Sequence, residues 1–178
     1  MTLISIRRAV EADQETIGAL VRSAAVNPRD IRWPRFLVAE EEGGSVVGIQ
    51  QIRTHRGGTR ELASRVVRPG FRRRGVGSKL LRAHLAEESG PLYLQCGEGW
   101  VPYYEKFGFR RIAPSELPAD LRREHIIGRF FVAARSLYLR RRLRIVPMKR
   151  DLGDRWTPST NAQREARYEN AARGYVGR

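Results

Sequence analysis

The feature that most constrains the fold of this chain is a loop rich in glycine and arginine, placed between an apolar strand and an amphipathic helix. The segment reads Val66-Val67-Arg68-Pro69-Gly70-Phe71-Arg72-Arg73-Arg74-Gly75-Val76-Gly77-Ser78-Lys79-Leu80-Leu81. Its glycines let the backbone approach a ligand, and the first N–H groups of the helix point back at the loop. The three consecutive arginines add charged donors to the partial positive charge of the helix N-terminus. The segment therefore predicts a phosphate-binding turn, best suited to a diphosphate.

Hydrophobic periodicity predicts the element order β-α-β-β-β-α-β-α-β-α-β. Strands are expected at 4–6, 36–39, 46–52, 61–68, 92–96, 109–112 and 143–148, and helices at 14–24, 75–88, 102–107 and 118–142. Asp13 is the expected N-cap of the first helix, and Pro147 favours a sheet edge or a bulge for the last strand. Residues 153–178 contain few large apolar side chains, so we expect a domain at 1–152 followed by a basic tail that is partly disordered or packed against a partner.

Composition narrows the class of protein. A net charge of +15 favours an anionic partner, but only three of the 34 basic residues are lysine, a bias that can reflect genomic base composition. The charge alone does not rank a phosphorylated cofactor, a nucleic acid or an acidic partner. The sequence shows neither an apolar run of about 20 residues nor a secretory signal, so we expect a cytoplasmic protein. One cysteine, Cys96, and three scattered histidines predict no disulfide framework and no metal site.

The loop departs from the two common nucleotide-binding motifs and resembles the acyl-CoA pyrophosphate loop of the GNAT superfamily of N-acetyltransferases. The resemblance rests on the pattern Arg-x-x-Gly-x-Gly, formed by Arg72, Gly75 and Gly77. Residues 102–109 (Pro-Tyr-Tyr-Glu-Lys-Phe-Gly-Phe) resemble the family's FYEKLGF segment, and 145–152 resemble its closing strand. Over about residues 4–152 the resemblance implies an α/β fold with a mixed, mostly antiparallel central sheet, splayed central strands and flanking helices.

The same resemblance implies that acetyl-CoA is the co-substrate. Because the loop binds anions and the sequence shows no cluster of metal ligands, we expect no metal requirement. The Val67 backbone would hold the pantetheine arm, and the Arg65 N–H would face the acetyl oxygen. The diphosphate would be held by the loop, at Arg72, Arg73, Arg74, Gly75, Val76, Gly77 and Ser78.

Two residues are implied as proton carriers. Tyr104 matches the family's tyrosine near the CoA sulfur, and a phenol with a pKa near 10 can protonate a leaving thiolate. The alternative is a structural tyrosine on an aromatic helix face, where Tyr103 is the expected core member of the pair. Glu61 stands where some members carry a strand glutamate that deprotonates the amine directly or through water. Its alternative role is an ion pair with Arg60 or another surface arginine.

The acceptor is the least constrained part of the reaction. Trp33 and Arg35 could supply an aromatic wall and a carboxylate contact, which suggests a small primary amine such as an amino acid. The expected function is acetyl transfer to that amine within a ternary complex. The alternatives are acetylation of a protein or an aminoacyl-tRNA, and a non-catalytic module that binds nucleic acid or the ribosome. Nucleic acid is not favoured because the basic segment 121–150, which could instead form a homodimer, has no recognisable binding motif.

Overall fold

A seven-stranded sheet forms the centre of the molecule. A computed structural model describes residues 3–24, 26–128 and 144–151. The strands are β1 (Ile4–Arg8), β2 (Phe36–Glu41), β3 (Val46–Thr54), β4 (Arg60–Val67), β5 (Leu92–Gly97), β6 (Arg110–Arg111) and β7 (Ile145–Arg150), and the helices are α1 (Gln14–Ser23), α2 (Val76–Glu87), α3 (Val101–Glu105) and α4 (119–128). The strand order is β1-β2-β3-β4-β5-β7-β6, and only the β4–β5 pair is parallel. The predicted mixed, mostly antiparallel sheet is confirmed.

One local prediction was right in position, and another was wrong. Asp13 is the N-cap residue of α1, but its side chain makes no capping bond to the helix; its carboxylate instead accepts the Val10 N–H at 2.8 Å and pairs with Arg7 at 2.6 Å. Pro147 lies on neither an edge strand nor a bulge, since β7 runs between β5 and β6. A proline is tolerated there because β6 pairs only with Met148 and Lys149, so neither β6 residue needs the N–H group that Pro147 lacks.

Two further predictions concern residues outside the described ranges, namely the continuation of the last helix through 129–142 and the tail at 153–178. None of the helices in the described part of the chain combines the length and hydrophobicity that a bilayer-spanning segment requires.

Helices cover both faces of the sheet. On one face α2 packs its Leu80 side chain against Leu37 and Val47, and on the other α1 packs Ile17 against Val38 and Ile49. As a result, eight consecutive residues of β3, 46–53, are buried. A third cluster joins β5 and β7 to the aromatic side chains around α3. Strand β3 is thereby fixed from both sides and anchors the neighbouring β4.

The central strands separate part-way along their length, as the predicted splay requires. Parallel pairing of β4 with β5 covers three residue pairs and ends at Leu62 and Leu94. Just beyond, the register between β3 and β4 shifts by one residue, and Ser64 adopts a left-handed conformation with φ of 49°. This bulge turns the end of β4 away from β5 and opens a cleft between them.

Candidate active site

The N-terminus of α2 lies at the mouth of this cleft. Gly75 precedes the helix with φ of 76°, a left-handed conformation that glycine adopts without strain. The first intrahelical bond runs from the Lys79 N–H to the Gly75 carbonyl at 2.9 Å. The N–H groups of Val76, Gly77 and Ser78 therefore have no intrahelical acceptor. Unpaired N–H groups at a helix N-terminus favour the binding of an anion.

Three arginines of the preceding loop bring positive charge to this terminus. Arg72, Arg73 and Arg74 are exposed, and none pairs with a carboxylate of a described residue. Arg72 Nε donates to the Val67 carbonyl at 3.0 Å, and Arg74 lies over the Phe71 ring. The predicted diphosphate-binding residues thus lie together on one surface, at the end of β4 and the start of α2.

Helix α3 forms the aromatic wall of the cleft. The expectation that Tyr103 is the core member of the pair was wrong: Tyr104 is the buried one, and Tyr103 is half-buried with its hydroxyl 3.3 Å from Ser78 Oγ. The Tyr104 hydroxyl makes no hydrogen bond with any described residue, and burial raises the pKa of Tyr104 to about 12. Cys96, on β5, packs against the same core, and burial raises the pKa of its thiol to about 11. Both groups are protonated at neutral pH.

Glu61 lies on the face of β4 that is opposite to α3, at the centre of a buried polar cluster. Its Oε2 accepts a hydrogen bond from Arg53 Nη2 at 2.7 Å and contacts His55 Nε2 at 3.0 Å. Its Oε1 faces Gln95 Nε2 at 3.4 Å. The ion pair anticipated as the alternative role therefore exists, but it is buried and formed with Arg53; Arg60 instead pairs with Glu88.

Helix α4 closes over this cluster. Asp120 accepts the Gly57 N–H at 3.1 Å and the Thr59 hydroxyl at 2.8 Å, which ties α4 to the β3–β4 turn. Glu124 on the same helix lies 3.7 Å from both Arg53 and His55.

His55, Glu61 and Glu124 could each offer one ligand atom to a metal ion, and these atoms lie within 4.8 Å of one another. Arg53 contacts both carboxylates, so its guanidinium already supplies the positive charge that a metal would bring.

The two residues expected to bind the acceptor are not brought to Glu61. Trp33 packs against the α1 cluster. Arg35 pairs with Asp30 and lines a surface cavity of about 330 Å³ together with Arg60, His84 and Glu87. Because Arg60 and Glu61 are adjacent in β4, their side chains point to opposite faces of the sheet.

Sequence reasoning missed the partners of Glu61. One turn is flanked by three odd-numbered residues, Arg53, His55 and Glu61. Because side chains alternate along a strand and Arg53 pairs with Glu61, all three side chains lie on the same face of the hairpin. This parity can be read from the sequence and indicates a shared face, but it does not select Arg53 as the partner of Glu61. Gln95 and Glu124 had no comparable signal, since each approaches Glu61 from a distant part of the chain.

The chain was compared with protein families and with solved structures. Residues 32–111 match the family model described as an acetyltransferase (GNAT) domain. This matched stretch covers 80 of the 178 residues and is similar to a GNAT acetyltransferase domain. No curated protein sequence matches the chain.

The fold also resembles those of solved structures. N-acetylglutamate synthase from Neisseria gonorrhoeae, complexed with coenzyme A and L-arginine, is 20% identical with a TM-score of 0.63, over 86% of this chain and 34% of that one. Rv2747 from Mycobacterium tuberculosis, in complex with CoA, is 20% identical with a TM-score of 0.63, over 83% and 99% of the two chains. The ribosomal-protein-S18-alanine N-acetyltransferase from Escherichia coli is 14% identical with a TM-score of 0.59, over 87% and 99%. The chain spans about a third of the length of the Neisseria synthase, and at these identities the likeness shows the fold.

The Glu61 cluster generates a prediction about stability and pH. The hydrogen bond to Glu61 raises the pKa of His55 above its ordinary value of 6.5. The stabilisation from protonated His55 is therefore fully present below about pH 6.5 and is lost as the pH rises through the raised folded-state pKa. His84 behaves in the opposite way, because burial lowers its pKa and protonation in the unfolded state opposes folding in acid.

We expect His55→Gln to lower the free energy of unfolding most below about pH 6.5 and least in alkaline solution. Urea unfolding of both proteins across this range measures the difference. His84→Gln is the matched control, since removing a histidine with a lowered pKa should not reproduce this trend. A penalty for His55→Gln that is constant or grows with pH would contradict the assignment.

Proposed function

We propose that the protein transfers an acetyl group from acetyl-CoA to a primary amine. The observation that carries this proposal is the cleft between β4 and β5, which opens beyond Leu62 and Leu94 at the N-terminus of α2. A cleft bordered by unpaired strand edges suits an extended ligand, and the arginine loop at its mouth suits a diphosphate. The GNAT domain match supports the activity class, and two similar structures, those of the Neisseria synthase and Rv2747, contain CoA.

In this proposal the diphosphate lies against the N–H groups of α2 and the side chains of residues 72–74. The pantetheine arm follows the edge of β4, where the Val67 backbone would pair with it and the Arg65 N–H would face the acetyl oxygen. In the structure, Arg72 Nε donates a hydrogen bond to the Val67 carbonyl. Arg72 would release that carbonyl when its guanidinium turns to the diphosphate, so one side chain would couple the two contacts.

The amine nitrogen attacks the thioester carbonyl, the C–N bond forms, and the C–S bond breaks. Tyr104 donates its proton to the departing sulfur, since its phenol is protonated at neutral pH. The nitrogen loses its proton towards Glu61. Because Glu61 lies four residues before Arg65, roughly 13 Å along an extended strand, that proton would travel through intervening water.

A small amine, such as an amino acid, is the acceptor we propose. A protein N-terminus is the second candidate, because the fold also resembles an acetyltransferase named for the alanine of ribosomal protein S18. Helix α4 packs over Glu61 through Asp120 and Glu124, which narrows access from that side and favours the small acceptor. Thiol release from acetyl-CoA, measured with amino acids, polyamines, aminoglycosides and peptides, distinguishes these candidates.

Gly77→Asp should weaken CoA binding by at least about tenfold, because it places a carboxylate beside the diphosphate. The variant should fold, since a Cβ at Gly77 would meet its nearest neighbour, Arg65 Cδ, at an ordinary 3.6 Å. Gly99→Asp is the matched control, as a Cβ there would meet nothing within 4 Å. Calorimetric titration with CoA in the presence of a chelator tests both the site and the expected independence from metal. Unchanged affinity in folded Gly77→Asp would place the diphosphate elsewhere, and a wild-type protein that does not bind CoA would refute the proposed function.

Tyr104→Phe keeps the packing of the ring and removes only the hydroxyl. If this hydroxyl protonates the sulfur, turnover should fall by about 10²- to 10⁴-fold with little change in CoA affinity. The measurement is thiol release with the first acceptor that supports turnover. Tyr93→Phe, on β5 and packed against Leu117 and Leu121, is the control for losing a phenol outside the cleft. Full activity in Tyr104→Phe would make the tyrosine structural.

Glu61→Gln separates the two roles of this carboxylate. As a proton acceptor it should support the rate most near neutral pH, so we expect a loss of about 10²-fold or more near pH 7 that shrinks in alkaline solution, where the amine is already neutral. Glu88→Gln, which removes the carboxylate of the Arg60 ion pair, is the control. A change in stability without any change in the rate per folded molecule would show that Glu61 only balances Arg53 and His55.

A further inference from the structure

Arg65 differs from the other arginines near the cleft because its side chain points into the cleft instead of solvent. Its guanidinium carbon lies 4.2 Å from the centre of the Tyr103 ring, 4.8 Å from that of Tyr104 and 5.0 Å from that of Trp100. Its stem lies against Gly77, where an added Cβ would meet Arg65 Cδ at 3.6 Å. The cation is therefore held between the start of α2 and the aromatic wall around α3.

One donor of this guanidinium has no acceptor. Arg65 Nη1 is buried without a hydrogen-bond partner in the described structure. Aromatic rings attract the positive charge, but they do not replace the oxygen that a buried N–H group requires. An unsatisfied donor of this kind is costly, so its position in a cleft indicates that a bound ligand completes it.

The position of Nη1 indicates which part of the acyl donor would contact Arg65. The diphosphate already has the helix N-terminus and the exposed arginines at 72–74, all at the mouth of the cleft. Arg65 lies deeper, between Gly77 and Tyr104, where an acyl donor bound as proposed above would place its neutral arm. That arm carries amide oxygens, which are acceptors suited to a buried guanidinium.

We propose that the Arg65 guanidinium donates a hydrogen bond to an amide oxygen of the pantetheine arm and so fixes the position of the thioester relative to Tyr104. The inference rests on the proposed function and goes beyond it by assigning a role to the Arg65 side chain in addition to its backbone N–H. Arg65 is accordingly a positioning residue, since Tyr104 remains the proton donor.

The test compares Arg65→Met and Arg65→Lys with the wild-type protein, using CoA and pantetheine as probes. Arg65→Met should weaken both ligands by a similar factor of about 10- to 100-fold, because pantetheine keeps the arm and lacks the phosphates. Arg65→Lys should fall between Met and wild type, since lysine keeps the charge and loses the planar fork. Arg22→Met, on the exposed face of α1, controls for the loss of one positive charge. Circular dichroism melting shows that each variant is folded, and Arg65→Lys carries the test if Arg65→Met is not.

Two results would overturn the inference while leaving the proposed function intact. One is a wild type that binds CoA together with variants that bind both ligands as tightly or more tightly, which would make Arg65 a structural support for α3. The other is weakened CoA binding with unchanged pantetheine binding, which would place the contact on a phosphate. A wild type that binds neither ligand would instead refute the proposed function itself.

Discussion

The interruption of pairing between β4 and β5 is the constraint on which the rest of the site depends. Ser64, a residue other than glycine with φ of 49°, holds the bulge in a conformation that costs on the order of 1–3 kcal/mol. Two features hold it there: the hydrogen bond from Gln51 Nε2 to the Ser64 hydroxyl at 2.9 Å, and the burial of β3 on both faces. Beyond the bulge, no strand of the described residues pairs with the β5-facing edge of β4, and unpaired backbone groups of this kind need a ligand or water. The bulge thus creates both the cleft and the binding edge.

Two arginines of the central strands show how the faces of the sheet differ. Arg53 lies on the α4 side, is buried, and contacts the carboxylates of Glu61 and Glu124, so its charge is balanced within the fold. Arg65 lies on the α2 side, contacts three aromatic rings, and leaves Nη1 unsatisfied. Each arginine has one buried nitrogen without a hydrogen-bond partner, so the difference between them lies in the carboxylates. Arg53 contacts two, whereas Arg65 contacts none among the described residues, which leaves its charge available to a ligand.

The elements formed by local sequence patterns could be predicted, and the choices made by tertiary contacts could not. The strand, arginine loop and helix at 66–81 read directly from glycine placement and periodicity, and the splay followed from the family resemblance. Glu61 could have paired with any of many arginines, and only the β3–β4 register chooses Arg53. The exchange of Tyr103 and Tyr104 has a similar origin: consecutive residues of a helix point about 100° apart, so the rotation of the five-residue helix α3 decides which ring is buried.

Arg65 and Tyr104 form a pair whose electrostatics bears on the chemistry. Burial raises the pKa of Tyr104 to about 12, and the positive charge of Arg65 acts in the opposite direction. Without that charge the pKa of the phenol would rise further above the pKa of a free thiol, which is about 8.5. The phenol would then be a still weaker acid towards a thiolate. In the proposed reaction, this cation would also stabilise negative charge on the sulfur as the C–S bond breaks, because a site of low polarity strengthens the interaction. In the proposed mechanism, Arg65 would therefore both hold the donor arm and increase the acidity of Tyr104.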